Sequence, residues 1–219
     1  MLGDWFRTIE LPMVFSDFER LPRNPAYKYE FFDGRAVLTP RPRYQRSVLD
    51  LSAHFTPRSA SSGLSGVIVR PLAPDDWTSL PALLSAAFHA VPPLIALDRD
   101  LRLAVAREHV ERTRTGGDGP LLELASFVSV DQHGAEGLVG AILITLIHGR
   151  DHGLEDRPHP HLTWVLAHPW HSGQGLGTAL LAHAVTALGT LGWRNLTSTF
   201  LVGNERATLW HWRCGFRLV

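Results

Sequence analysis

Two features near the end of the chain have residue types and spacing suited to chemistry: the turn Ser172-Gly173-Gln174-Gly175-Leu176-Gly177 and His161, eleven residues ahead of it. Glycine has no Cβ, so the backbone amides of such a turn can point inward together and bind an anion. A strand-like run at 162–167 precedes the turn and a helix-period stretch follows, so a helix N-terminus adds its partial positive charge. The turn predicts a pyrophosphate site built without lysine.

Two other nucleotide-binding motifs are excluded by the residues around this turn. A Rossmann fingerprint requires its first glycine directly after the strand and an acidic residue about 20 residues further on. Position 197 is Thr, and residues 195–199 carry no acid. A P-loop requires Gly-Lys-Ser/Thr, whereas Gly177 is followed by Thr178.

The turn and its flanks resemble the central motif of the GNAT superfamily of N-acetyltransferases, Arg/Gln-x-x-Gly-x-Gly/Ala. Gly175 and Gly177 match its glycines. Ala167-His168-Pro169 is similar to the Val-x-Pro that ends the family's fourth strand, and Ala179-Leu180-Leu181 to the start of its helix. Ser172 stands where the family has Arg or Gln, which leaves the backbone amides to hold the pyrophosphate.

A second segment carries the same resemblance. Asn204-Glu205-Arg206-Ala207 and Cys214-Gly215-Phe216 are similar to the family's Asn-x-x-Ala-x-x-Leu-Tyr-x-x-x-Gly-Phe segment, at unchanged spacing. Trp210 replaces the usual Leu, and His211 falls where many members have a Tyr that protonates the departing thiolate. The resemblance implies that His211 is a general acid.

The resemblance implies acetyl-CoA as co-substrate and no metal. The diphosphate would lie on the amides of the turn and the pantetheine along the end of the strand. The implied cofactor contacts are Val165, Leu166, Ala167, Ser172, Gly173, Gln174, Gly175, Leu176, Gly177, Thr178, Asn204 and Ala207. Asn also favours the N-cap position, so helix capping alone would explain Asn204.

His161 is the candidate base. An acceptor ammonium is almost wholly protonated at neutral pH, so a base must take its proton before the amine attacks the thioester. Family members that use Glu or His on this strand carry it at the spacing of His161. The residue shares strand parity with Val165 and Ala167, so we expect all three side chains on one face. The alternative is that His161 is a packing or surface histidine. A zinc site is not expected, because the spacing of His152, His159 and His161 matches no common zinc pattern.

The elements that position these groups follow from the hydrophobic patterns. Leu176, Leu180, Ala184 and Leu188 define one face of the helix after the turn. The other expected elements are a strand at 67–72, helices to Phe88 and at 98–114, a hairpin of strands at 121–130 and 137–147, and a strand at 196–202. Together they predict a mixed α/β fold, GNAT-like, with a mostly antiparallel sheet flanked by helices, over residues 64–219.

Residues 1–63 form an extension that ends in the small, polar linker 56–63. Asp33-Gly34 between two strand-like runs predicts a β-hairpin. Few residues follow Phe216, which leaves room for a sixth strand but none for the family's final strand. We expect the hairpin to dock at the open end of the sheet.

The segment 29–37 also resembles the beginning of the Uma2-like, restriction-endonuclease-related family. The resemblance is short, and no Asp…Glu-x-Lys metal site follows. Lys28 is the chain's one lysine, so the usual catalytic lysine is absent. We interpret the segment as a structural appendage.

Composition narrows the class of protein. The chain has 219 residues, 45% of them hydrophobic and 19% charged, an ordinary globular balance. Its net charge is zero, so no electrostatic footprint favours nucleic acid or an anionic membrane. Cys214 alone cannot form an intrachain disulfide, and no apolar run approaches about 18 residues. We expect a cytoplasmic protein.

The sequence thus predicts an enzyme that transfers acetyl from acetyl-CoA to a primary amine by direct attack in a ternary complex. The alternative is a GNAT-fold module that binds acyl-CoA as a sensor or scaffold without turnover. The acceptor stays open between a small molecule, a peptide terminus and a protein lysine. Acyl-chain preference and oligomeric state, a homodimer included, are also open.

Overall fold

The computed structural model describes residues 8–23, 27–40, 44–52, 64–91, 94–132, 137–148 and 157–219. The predicted linker at 56–63 and His152 lie outside these residues. Within them, no helix is both long and apolar enough to cross a membrane.

The centre of the fold is a seven-stranded sheet. Its strands are β4 (Tyr44–Asp50), β5 (Val67–Pro71), β6 (Phe127–Asp131), β7 (Leu138–Ile147), β8 (His159–Ala167), β9 (Asn195–Leu201) and β10 (Arg217–Leu218). They lie in the order β10-β4-β9-β8-β7-β6-β5. All neighbours are antiparallel except β8 and β9, which are parallel. The predicted mixed, mostly antiparallel sheet is confirmed.

A smaller sheet precedes it, with β1 (Ile9–Pro12), β2 (Tyr27–Phe32) and β3 (Arg35–Pro40) in the order β1-β3-β2 and a short helix, α1 (Phe15–Arg20). Strands β2 and β3 form the predicted hairpin, with Asp33 and Gly34 both at positive φ in its turn. Phe18, Ala36 and Leu38 are buried beneath the small sheet, and Leu201 of β9 packs against them.

Four longer helices cover the large sheet: α2 (Leu80–Ala87), α3 (Arg99–Arg114), α4 (Leu176–Thr190) and α5 (Glu205–Arg213). Helices α2 and α3 share one buried cluster with Leu143 and Trp164 of the sheet. Helix α4 and the end of α5 share another with Ile142 and Leu162 on the opposite face. The predicted stripe of α4 is fully buried, so its 3.6-residue period was a reliable guide.

The strand expected at 121–130 is shorter than predicted. Residues Glu123–Ala125 form a 3-10 turn, and β6 begins only at Phe127. The reason is Ser126, whose hydroxyl oxygen accepts from the amide of Ile144 at 3.1 Å and so takes the place of a strand carbonyl. The remaining predicted helices and strands are confirmed to within a few residues.

The element at the open end of the sheet is not the hairpin, so that prediction is wrong. Strand β4 pairs with β9 along its whole length and with β10 on its other side. Ser47 and Leu49 point into the protein from β4, and Leu49 joins the α4 cluster. The strands of the Asp-Gly hairpin form their backbone hydrogen bonds within the small sheet. Strand β4 forms its own with β9 on one side and β10 on the other. The boundary at residue 63 stays a prediction, and β4 lies upstream of it.

Candidate active site

The two parallel strands separate soon after they meet. Strands β8 and β9 are paired at His161 with Thr197 and at Leu162 with Ser198, and no further pairs follow among the described residues. Beyond this point a cavity of about 860 Å³ opens between Thr163–Ala167 on one side and Ser198–Leu201 on the other. Such a volume suits a small molecule or cofactor.

A β-bulge lies at the same point, and beyond it the side chains of β8 exchange the faces of the sheet on which they lie. Leu162 pairs with Ile144 but Trp164 pairs with Leu143, which leaves Thr163 as an extra residue. Consequently Val165 and Ala167 face the α4 cluster, whereas His161 lies across from Thr145 on the α2/α3 face. The expectation that all three side chains share one face is therefore wrong.

The cavity borders both faces of the sheet. Its α4 side, called the cofactor side here, is lined by Val165, Ala167, the glycine turn and α5. Its α2/α3 side, called the acceptor side, is lined by His161 and Phe88, among others. The site therefore provides two compartments that meet at the bulge.

His161 is buried, with 4% of its surface exposed, and Thr197 determines which of its ring nitrogens carries the hydrogen in the neutral form. The Thr197 hydroxyl donates its one hydrogen to the carbonyl of Pro160 at 3.1 Å. Its oxygen lies 2.9 Å from Nδ1 of His161 and must therefore accept from that nitrogen. Neutral His161 then carries its basic lone pair on Nε2.

The glycine turn has the backbone that an anion site requires. Gly173 and Gly175 have φ of 78° and 89°, and Gly175 is the N-cap of α4. A Cβ on Gly177 would meet Trp210 Nε1 at 3.3 Å and Val165 at 3.4 Å. Leu176 and the next residues of α4 line the cavity, and the first amides of a helix have no partner within it.

Most residues expected to contact a cofactor border this cavity. Its lining includes Val165, Ala167, Ser172, Gly173, Gly175, Leu176, Gly177, Thr178, Asn204 and Ala207. Leu166 is different, because its side chain is buried in the α2/α3 cluster. Gln174 also turns away and donates from Nε2 to the carbonyl of Trp170 at 2.9 Å.

Asn204 caps helix α5. Its Oδ1 accepts from the amide of Ala207 at 3.1 Å, so the capping role is present in the structure. Both residues also line the cavity. A cofactor contact by Asn204 stays a prediction.

His211 lies in the cavity wall but has no proton available there. Its Nδ1 is 2.7 Å from the carbonyl of Ala207, which can only accept, so Nδ1 is the donor. Nε2 lies 2.8 Å from the hydroxyl of Ser198 and accepts from it. Burial lowers the pKa of His211 to about 4, so the ring is neutral at pH 7. This geometry gives the predicted general-acid role no support.

The motifs did not indicate several groups that line the cavity. Trp210 Nε1 and Thr199 Oγ1 are buried polar atoms with no hydrogen-bond partner in the described part of the chain. Tyr44 comes from β4 and Phe88 from the end of α2, both far from either motif. Trp210 was recognisable as a departure from the family, but no sequence signal indicated the other three.

The cofactor side fits an extended, anionic cofactor such as an acyl-CoA. The cradle at Gly177 would be filled by any Cβ, and beside it lies the indole N–H of Trp210, which has no hydrogen-bond partner among the described residues. Arg206 and Arg213 of α5 line the same cavity and bring positive charge. Among the described residues, no group of three His, Cys, Asp or Glu side chains could hold a metal ion.

A central sheet with two splayed parallel strands, and a glycine turn opening the helix behind them, defines the fold class of the acyl-CoA-dependent GNAT acetyltransferases. The sequence profile of the acetyltransferase (GNAT) family matches residues 101–216, more than half of the chain, and the chain belongs to this family. One fold can host more than one activity, so the reaction depends on the residues of the site. No curated protein sequence matches the chain.

Solved structures with the same fold include a GCN5-related N-acetyltransferase from Sphaerobacter thermophilus, with 15% identity and a TM-score of 0.56. The match covers 82% of this chain and 50% of that one, so this chain spans half the length of that relative. A putative acetyl transferase from Pyrococcus furiosus has 14% identity and a TM-score of 0.53, over 69% and 93% of the two chains. A tandem GNAT protein from the clavulanic acid biosynthesis pathway has 17% identity and a TM-score of 0.51, over 81% and 50%.

Proposed function

We propose that this protein transfers the acetyl group of acetyl-CoA to a primary amine, by direct attack of the amine within a ternary complex. The observation that carries the proposal is His161, buried where the two parallel strands separate, with its Nδ1 committed to Thr197. A base with its lone pair on Nε2 beside the cavity is what amine activation requires.

The chain's own residues supply the cofactor site. The amides at the start of α4 hold the diphosphate, and the pantetheine lies along the edge of β8 at Val165 and Ala167. Arg206 and Arg213 add positive charge. The bound thioester supplies the activated acetyl group. Trp210 offers its N–H to a carbonyl or sulfur of the cofactor, which would satisfy that buried donor.

His161 removes a proton from the acceptor ammonium at Nε2, and Thr197 then stabilises the resulting imidazolium through its contact with Nδ1. The free amine forms a C–N bond to the acetyl carbon, and the C–S bond to CoA breaks. The attacking nitrogen loses two protons in all. One reaches the solvent through His161, and the other is taken by the thiolate, whose thiol has a reference pKa of about 8.5.

We assign His211 a positioning role. Its lone pair accepts from Ser198 and its ring stacks on Phe200 at a centroid distance of 4.2 Å. These contacts tie α5 to β9 beside the separation of the strands. His211 thus holds the cofactor wall in place and gives up no proton at neutral pH.

Release of free thiol from acetyl-CoA, measured with a broad panel of amines and peptides, tests the proposal. We expect acceptor-dependent turnover in the wild type and a loss of about 100-fold or more in His161→Ala, with CoA binding retained. His89→Ala is the matched control, because His89 is exposed and lies outside the cavity lining. It should behave as wild type.

The alternative function predicts a different pattern. A sensor or scaffold would bind CoA tightly, release no thiol with any amine, and tolerate His161→Ala without change. The absence of acceptor-dependent thiol release together with intact CoA binding would favour that alternative.

A further inference from the structure

We propose that the acceptor is a primary amine carried on an apolar aryl or alkyl body, and that Tyr44 and Phe88 form walls of the pocket that receives it. This inference rests on the proposed acetyl transfer and names the class of its acceptor. It starts from the acceptor side of the cavity, on the face that carries His161.

Strand register places Tyr44 on this side. Thr197 contacts His161, so alternate residues of β9, Thr199 and Leu201, face the same way. Tyr44 pairs directly with Leu201 and therefore shares that face. It lines the cavity from a strand outside the segment that the family profile matches.

Phe88 approaches from helix α2. Its ring lies edge-on to Trp164, with 6.1 Å between centroids. Trp164 is held in turn by a hydrogen bond from its Nε1 to the hydroxyl of Thr113 at 2.9 Å. The two rings form a fixed aromatic surface in the cavity.

Several other described residues of the acceptor side are apolar, beside the polar Asp118, His148 and Thr163. The apolar ones are Ala87, Val91, Pro120, Leu146 and Ile147. An apolar ligand binds favourably in a pocket with this lining, because binding removes apolar surface of both the ligand and the pocket from water.

Charge is distributed unequally between the two sides. Asp118 is the carboxylate among the described lining residues, and it is already bound by Arg112 at 2.9 Å and by the Thr113 hydroxyl at 2.7 Å. Arg206 and Arg213 belong to α5 on the cofactor side. A polycationic acceptor would have to shed its hydration without a matching anion among these groups.

The amine itself has a polar position at the inner end of the pocket. His161 pairs with Thr197 of β9, and Thr199 lies two residues further along β9, just past the paired segment. The Thr199 hydroxyl is buried without a partner among the described residues. It can accept from the ammonium while His161 takes a proton, and the apolar body then extends toward Phe88 and Tyr44.

Binding of two probe amines to the full chain, loaded with CoA, is the first test. We expect phenethylamine to bind about tenfold or more tightly than spermidine in isothermal titration. Equal or tighter binding of spermidine would overturn the inference, and so would the failure of phenethylamine to bind. Because CoA carries no acetyl group, this readout does not depend on turnover.

Variants then test the walls. Phe88→Ala and Tyr44→Ala should each weaken phenethylamine binding about fivefold to tenfold and leave CoA affinity near wild type. Tyr44→Phe keeps the ring and should bind normally. Unchanged phenethylamine affinity in both alanine variants would contradict the assignment.

Thiol release with the same amines separates this inference from the proposed function. If phenethylamine binds and no amine of the panel supports thiol release, the pocket assignment stands and the acetyl transfer is refuted. Acetylation of spermidine in preference to phenethylamine would support the acetyl transfer and refute the pocket assignment.

Discussion

Thr197 and His161 lie opposite each other on the two parallel strands, with Thr197 Oγ1 2.9 Å from His161 Nδ1. Because the Thr197 hydroxyl donates its hydrogen to the carbonyl of Pro160, its oxygen can only accept from the imidazole. The strand pairing that positions His161 therefore also determines which ring nitrogen carries the lone pair.

Removing that acceptor should slow the chemical step. Thr197→Val keeps the shape of the side chain but lets the imidazole adopt the other tautomer, so we expect kcat to fall about tenfold with KM for acetyl-CoA unchanged. Thr197→Ser retains the hydroxyl and should keep most of the activity. Steady-state kinetics of the two variants decides this, and equal losses in both would point to packing alone.

Acid should destabilise the protein through His211. Burial lowers its folded pKa to about 4 from an ordinary value of 6.5, so the unfolded chain binds the proton more readily. The stabilising contribution is fully present above pH 6.5 and is lost as the pH falls toward 4, by about 3 kcal/mol at most. Urea unfolding at several pH values should show a shallower pH dependence for His211→Phe than for wild type over this range. Parallel curves would refute the assignment.

Two glycines of the same region should respond to alanine in opposite directions. Gly175 has φ of 89°, so Gly175→Ala should cost about 1–2 kcal/mol and raise the Kd for CoA. Gly189 lies within α4 with open space around its Cα, so Gly189→Ala should stabilise by about 0.5–1 kcal/mol and leave CoA binding alone. Thermal melting and CoA titration measure both. A stable Gly175→Ala protein with normal Kd would contradict the role of the turn.

Strand β4 should contribute to the stability of the whole fold. Leu49 is 5% exposed and packs in the α4 cluster, so Leu49→Ala should lower the free energy of unfolding by about 2–4 kcal/mol. Leu191 is 41% exposed, and Leu191→Ala should change it by less than about 0.5 kcal/mol. If urea denaturation gave similar values for the two variants, β4 would be peripheral to folding.

Local patterns were sufficient for much of this fold. The apolar stripe of α4 and the Asp33-Gly34 hairpin both depend on neighbours in sequence, and both are present. The glycine turn was equally clear, because the positive φ seen at Gly173 and Gly175 strongly favours a residue without Cβ.

The bulge at Thr163 could not be predicted. An extra residue in a strand leaves no mark on composition, yet it reverses the face of every later side chain. The buried state of His211 was also hidden, because its partner Ser198 lies on a different element. Both features depend on contacts between strands and helices that motif spacing does not encode.

The position of β4 has a consequence for biosynthesis. Ser47 and Ser198 are joined by a hydrogen bond although they lie 151 residues apart. On the ribosome, β4 is made long before β9 and β10, and until they emerge it presents two unsatisfied edges. Such long-range pairing slows folding, so the nascent chain is prone to aggregation until β9 and β10 have been made. Chaperones would matter most during this period.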